Sequence, residues 1–135
     1  MSIRSIRAAL EVALNAVSPS LSTQFENVPF TPVQGTAYQR VNLLRGTSEN
    51  PALGASMSRE VGILQVTLCY PLGAGPQAAE DRAELLRSTF ARGASFTAGG
   101  VTVHITGTTS VGPAYVEADR YCIPVSVRYH ANVFG

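Results

Sequence analysis

Hydrophobic positions recur along this chain with two different periods. Near the N-terminus, Ile3, Ile6, Leu10, Ala13, Leu14 and Val17 fall at three- and four-residue spacing, which predicts a helix with one apolar stripe over residues 1–18. Arg4, Arg7, Glu11 and Asn15 lie on its wetter side, and Pro19 ends it. Such a stripe docks either on the domain's own sheet or on a partner. The period becomes two in Val61–Tyr70. Leu64, Val66, Leu68 and Tyr70 share one face, and Ile63, Gln65, Thr67 and Cys69 the other. A Pro/Gly elbow, Pro71–Pro76, then leads into a second amphipathic stretch, Gln77–Arg92. Pro76 suits the first position of a helix. Glu80 and Asp81 near its start, and Arg87 and Arg92 near its end, complement the helix dipole. Ala79, Ala83, Leu86 and Phe90 form its buried stripe, and Gly93 suits its terminus.

The remaining segments are extended or irregular. Phe25–Pro32 reads as extended, and its two prolines confine it to a sheet edge or a surface arm, with Phe30 as an anchor. Tyr38–Leu44 reads as a strand. Residues 45–60 hold Gly46, Asn50, Pro51, Gly54 and several serines, with only Leu53 and Met57 as sizeable apolar residues. That composition predicts a flexible loop, either a disordered hairpin tip or a segment that orders against a neighbouring subunit. Gly99-Gly100 predicts a hairpin turn. Val101, Val103 and Ile105 then alternate with Thr102, His104 and Thr106. A loop over Gly107–Asp119 precedes a last strand, where Tyr121, Ile123, Val125, Val127 and Tyr129 alternate with Cys122, Pro124, Ser126, Arg128 and His130. Pro124 argues for an edge, a bulge or a strand's first residues.

These elements predict one α+β domain over residues 1–135. A single, largely antiparallel sheet of about four main strands carries both helices on one face and has one long β–β loop. The other face, with Gln65, Thr67, Cys69, Thr102, Thr106, Ser126 and Arg128, is too polar for a core and too apolar for plain solvent exposure. It suits a subunit interface or a lumen wall.

Formal charge is +1, so no general attraction to nucleic acid or anionic lipid is expected. All ten basic residues are Arg, which fits either codon bias or interface use. No run approaches the length of a membrane span. Glu11 and Asn15 break any signal-like apolar stretch, which together with two cysteines predicts a reducing cytoplasm. Cys69, Cys122, His104 and His130 fall on one strand face without metal-ligand spacing, so ordinary strand residues outweigh a metal site or a disulfide. Gly73-Ala-Gly75 opens a helix, where turn geometry outweighs anion binding. No nucleophile–base–orienter set, P-loop or dinucleotide fingerprint is present, so an enzyme, a cofactor or a metal is not expected. The arginines are not clustered as sequence-specific nucleic-acid recognition requires.

Five segments carry a family resemblance. They are Pro29-Phe-Thr-Pro32, Tyr38-Gln-Arg-Val-Asn-Leu-Leu44, Gly62-Ile-Leu-Gln-Val-Thr-Leu68, Tyr70-Pro-Leu-Gly-Ala-Gly75 and Ile123-Pro-Val-Ser-Val-Arg-Tyr129. In this order they resemble tail-terminator-like proteins of long, flexible-tailed bacteriophages and their prophages. The resemblance implies a subunit that forms a ring, typically a hexamer; because ordering the flexible loop on docking costs entropy, the free subunit is expected to be monomeric or weakly associated. The ring caps the tail tube, stops its polymerisation and presents a surface to the head-completion protein, in the virion tail after assembly in the host cytoplasm. Phe30, Leu53, Met57 and Arg59, apolar or Arg residues in polar segments, are the expected assembly contacts. A head-closure protein of the same neck region, or a small-molecule binding domain, are the alternatives.

Overall fold

The computed structural model describes residues 2–17, 21–31, 35–47, 57–73, 75–117 and 119–134. The chain runs α1 (Ser2–Asn15), β1 (Ser22–Gln24), β2 (Tyr38–Arg45), β3 (Met57–Pro71), α2 (Gln77–Thr89), β4 (Ser95–Ala98), β5 (Val101–Ile105), β6 (Ser110–Val111), β7 (Tyr115–Glu117) and β8 (Arg120–Phe134). The α+β expectation holds. The sheet, however, has eight strands in the order β1-β2-β3-β8-β5-β4, with β6 and β7 also on β8. It is mixed, because β1 pairs parallel to β2 while the other pairs are antiparallel.

Alternation sorts the two faces as expected. Val41 and Leu43 of β2, Leu64, Val66 and Leu68 of β3, Val103 and Ile105 of β5, and Ile123, Val125 and Val127 of β8 form the inner face. They share one cluster with Ile6, Leu10 and Leu14 of α1 and with Ala79, Ala83 and Leu86 of α2. The N-terminal stripe therefore docks on the chain's own sheet, over β4 and β5, while α2 lies over β3 and β8. Arg82 is also buried, on the same stripe as Ala79 and Leu86. The long stem of Arg lets such a position be covered, and burial pushes its pKa down, against the opposing influence of Tyr70.

Several local expectations are corrected. α2 stops at Thr89, where Phe90 N–H closes the last turn on Leu86 O (2.8 Å). Thr109 then fixes that end: its hydroxyl donates to Phe90 O (2.9 Å), and Arg87 Nε donates to Thr109 O (3.2 Å). The stretch Gly107–Asp119 is not a plain loop, because β6 and β7 form within it and pair with β8. β3 begins at Met57, so residues 57–60 of the expected loop are strand, paired with Ala131–Phe134. Residues 48–56 lie outside the described residues. Phe25–Pro32 is not extended throughout: a turn at Glu26-Asn27, with Asn27 at φ 57°, interrupts it. Asn tolerates this left-handed conformation.

Pro124 sits in the middle of β8, not at a sheet edge. Its carbonyl accepts from Gly112 N–H (2.8 Å), so its own backbone groups point away from β3. On that side β6 has ended and β7 has not begun, so the missing N–H breaks no ladder bond. Gly112 is required there, since a Cβ on it would meet Pro124 Cγ at 2.9 Å.

Gly62 faces a tighter restriction. It pairs with Tyr129, and a Cβ on it would lie 2.5 Å from both Leu44 O and Tyr129 Oη. One obstacle is backbone and the other a buried ring, so neither yields cheaply. Gly62→Ala should therefore lower the unfolding free energy by about 2 kcal/mol, measured by urea denaturation. A loss below about 0.5 kcal/mol would show that the ring moves aside freely.

Candidate assembly surface

Among the described residues, no helix lies on the outer face of the sheet. Strand parity places Tyr38, Arg40, Asn42 and Leu44 of β2 on it, beside Ile63, Gln65, Thr67 and Cys69 of β3 and Cys122, Pro124, Ser126 and Arg128 of β8. Its middle is a polar row, Asn42, Gln65 and Ser126, and its two ends differ in chemistry.

One end is covered by the arm. Phe30 packs on Tyr38 with ring centroids 5.3 Å apart, and the two rings cover Cys69 and Cys122. The Arg120 guanidinium stacks 5.1 Å from the Tyr38 ring centre and donates to Thr36 O. Arg40 Nη2 lies 2.6 Å from Glu117 Oε2 and 3.8 Å from Cys69 Sγ. That ion pair links β2 to β7 past the sulfur. Partial burial works against the Arg40 charge, but its bonds to Glu117 and Tyr38, together with the nearby Glu117 charge, jointly outweigh it and hold its pKa above the ordinary value. Burial also pushes the Tyr38 hydroxyl up.

The other end is open. Leu44 is 50% exposed and, with Val61, Ile63, Arg128 and Tyr129, lines a shallow depression of about 440 Å³. His104 and His130, partners across β5 and β8, stack with centroids 5.1 Å apart. Arg59 Nε donates to Asn132 Oδ1 (3.3 Å). Among the described residues, no cluster of three or more His, Cys, Asp or Glu is arranged to hold a metal ion.

The four residues expected as assembly contacts are not gathered into one site. Phe30 sits over Cys69, whereas Arg59 lies ten positions earlier on β3, roughly 33 Å along the strand. Met57 pairs with Phe134 at the start of β3, and Leu53 lies outside the described residues. Arg40, Leu44, Glu117 and Arg120 were not singled out from the sequence. The alternation of Tyr38–Arg45 held the signal for the first two. Nothing local signals that Glu117 meets Arg40 or that Arg120 meets Tyr38, because that needs the register of β7, β8 and β2.

The arm is tied down by Glu26. Its Oε1 accepts Leu43 N–H (2.6 Å) and pairs with Arg7 (3.1 Å), which also pairs with Glu11 (3.3 Å). The bond from Leu43 is the main cause holding the carboxyl below its ordinary 4.5; partial burial opposes it, and Arg7 and Arg45 reinforce it. A lowered folded pKa means that this stabilisation is complete above the ordinary carboxylate value. It is lost as pH falls through the lowered one. Glu26→Gln should cost about 1 kcal/mol at neutral pH, after discounting for solvent screening, and less at about pH 3. Urea unfolding at both pH values checks this, and a difference independent of pH would remove the charge from the explanation.

The comparisons fit this architecture. A solved protein structure superposes on the chain with a TM-score of 0.80 at 27% identity, covering 100% of this chain and 99% of the other. No curated protein sequence matches significantly. The family model described as phage tail terminator protein matches residues 5–129, which span all but the ends of α1 and β8. The chain belongs to the phage tail terminator family.

Proposed function

We propose that this chain is the ring-forming tail terminator of a long, flexible-tailed phage or prophage. Family membership already makes it a structural component of the phage tail. The finer reading is a homo-oligomeric ring, a hexamer, that caps the tail tube protein, stops its polymerisation and presents its other surface to the head-completion protein. The free subunit is monomeric or weakly associated. The observation that carries this reading is the family match over residues 5–129.

The geometry of the outer face supports it. A closed ring needs heterologous contacts, in which one patch meets a different patch on the next subunit. The arm-covered end and the open end of the outer face are two such patches on one sheet. Phe30 belongs to the first. Arg59 and Met57, at the foot of the segment holding Leu53, adjoin the second. The Leu44–Ile63 depression is open and shallow, which suits a protein contact better than enclosure of a small molecule.

Deleting residues 48–57 should abolish ring formation while leaving the monomer folded, read by light scattering and circular dichroism. Rings that still form would remove this segment from the interface. Electron microscopy of particles lacking the gene should show overlong tubes. Tails of normal length without heads would instead favour a head-closure role, and normal complete particles would overturn both.

A further inference from the structure

We propose that Cys69 and Cys122 form a site of reversible covalent modification, at which exchange with a small disulfide joins β3 to β8 by a cross-strand disulfide. The proposal is independent of the tail-assembly reading.

The two cysteines are direct partners in the β3–β8 register, and the kind of pairing is fixed by the neighbouring backbone. Pro124 turns its carbonyl to Gly112, away from β3, so Thr67 and Pro124 exchange no hydrogen bonds. Pair types alternate along an antiparallel ladder. Cys69 and Cys122, two positions further on, therefore repeat the non-hydrogen-bonded type. Val61 gives the same parity, because its carbonyl accepts from Gly46 on the β2 side (2.8 Å). Non-hydrogen-bonded partners have Cα atoms about 4.5 Å apart, inside the range a disulfide spans. Both thiols are free, and their sulfurs lie 3.0 Å apart, with the Cys122 S–H directed at Cys69 Sγ.

The surroundings assign the order of events. The Arg40 guanidinium contacts Cys69 Sγ, and that contact strengthens when the sulfur carries charge. Burial, then the bond to Cys69, pushes the Cys122 thiol up to about 12, which disfavours Cys122 as the first nucleophile. Cys69 thiolate attacks a small disulfide RSSR, forming Cys69–S–S–R and releasing RS⁻. Cys122, deprotonated, then attacks the Cys69 sulfur and expels a second RS⁻. The two thiol protons end on the two released RSH, and RSSR is the oxidant reduced. Both sulfurs are fully buried beneath Phe30 and Tyr38. Reagent therefore reaches them only when Phe30 lifts, and the mixed disulfide occupies its place. The bridge itself fits under the closed arm.

The test uses the full chain, reduced and then incubated with oxidised glutathione, followed by unfolding, alkylation and intact-mass analysis. The expected product has lost two hydrogens, takes up no alkylating agent, migrates as a single chain and returns to the dithiol with dithiothreitol. Its melting temperature should rise by about 10 °C. Phe30→Ala should speed formation several-fold. Full alkylation after exposure, a persistent glutathione adduct or chains cross-linked to one another would each overturn the proposal. An unchanged rate in Phe30→Ala would overturn the role of the arm.

Discussion

The structure depends on one pairing, the fifteen-residue antiparallel ladder between β3 and β8. These two strands are the longest in the chain and stand at the centre of the sheet. Their partners are laid out along them: β2 borders β3, while β7, β6 and β5 succeed one another along the far side of β8. One face of the ladder supplies most of the sheet's share of the core, and both helices close over that face. The period of two then leaves the opposite residues of every strand on a face that, among the described residues, only the arm packs across.

Much of this was legible in the sequence, for a physical reason. The alternation in Val61–Tyr70 and Tyr121–His130 and the helical stripes of α1 and α2 are local patterns, and burial enforces them residue by residue. The same holds for Gly99-Gly100, both at positive φ in the β4–β5 turn. What failed was non-local. Pro124 suggested an edge, a bulge or a strand's first residues because its own sequence does not reveal a gap between two short strands donated from ten residues upstream. β6 and β7 are too short to show a period at all. β1 forms only because β2 offers it an edge.

The candidate surface was legible in the same partial way. The mixed polarity of the outer face was visible in the alternation, and the face is there. The chosen contact residues came from composition, which marks a segment and not a place in space. Phe30 and Arg59 thus fall at opposite ends of the sheet. The cysteines and histidines, unremarkable as isolated strand residues, became two cross-strand pairs once register brought them together.

The Gly62–Tyr129 contact has a consequence for how the chain finds its fold. A one-residue slip of β3 against β8 would turn the core residues outward and is strongly opposed. A two-residue slip keeps every side chain on its proper face, so hydrophobic sorting alone does not reject it. Such a slip would slide the Tyr129 ring off Gly62 and onto Glu60 or Leu64, where a side chain already fills the space. One absent methyl group thereby acts as the notch that the ring must find. It selects a single alignment from a family of otherwise equivalent ones.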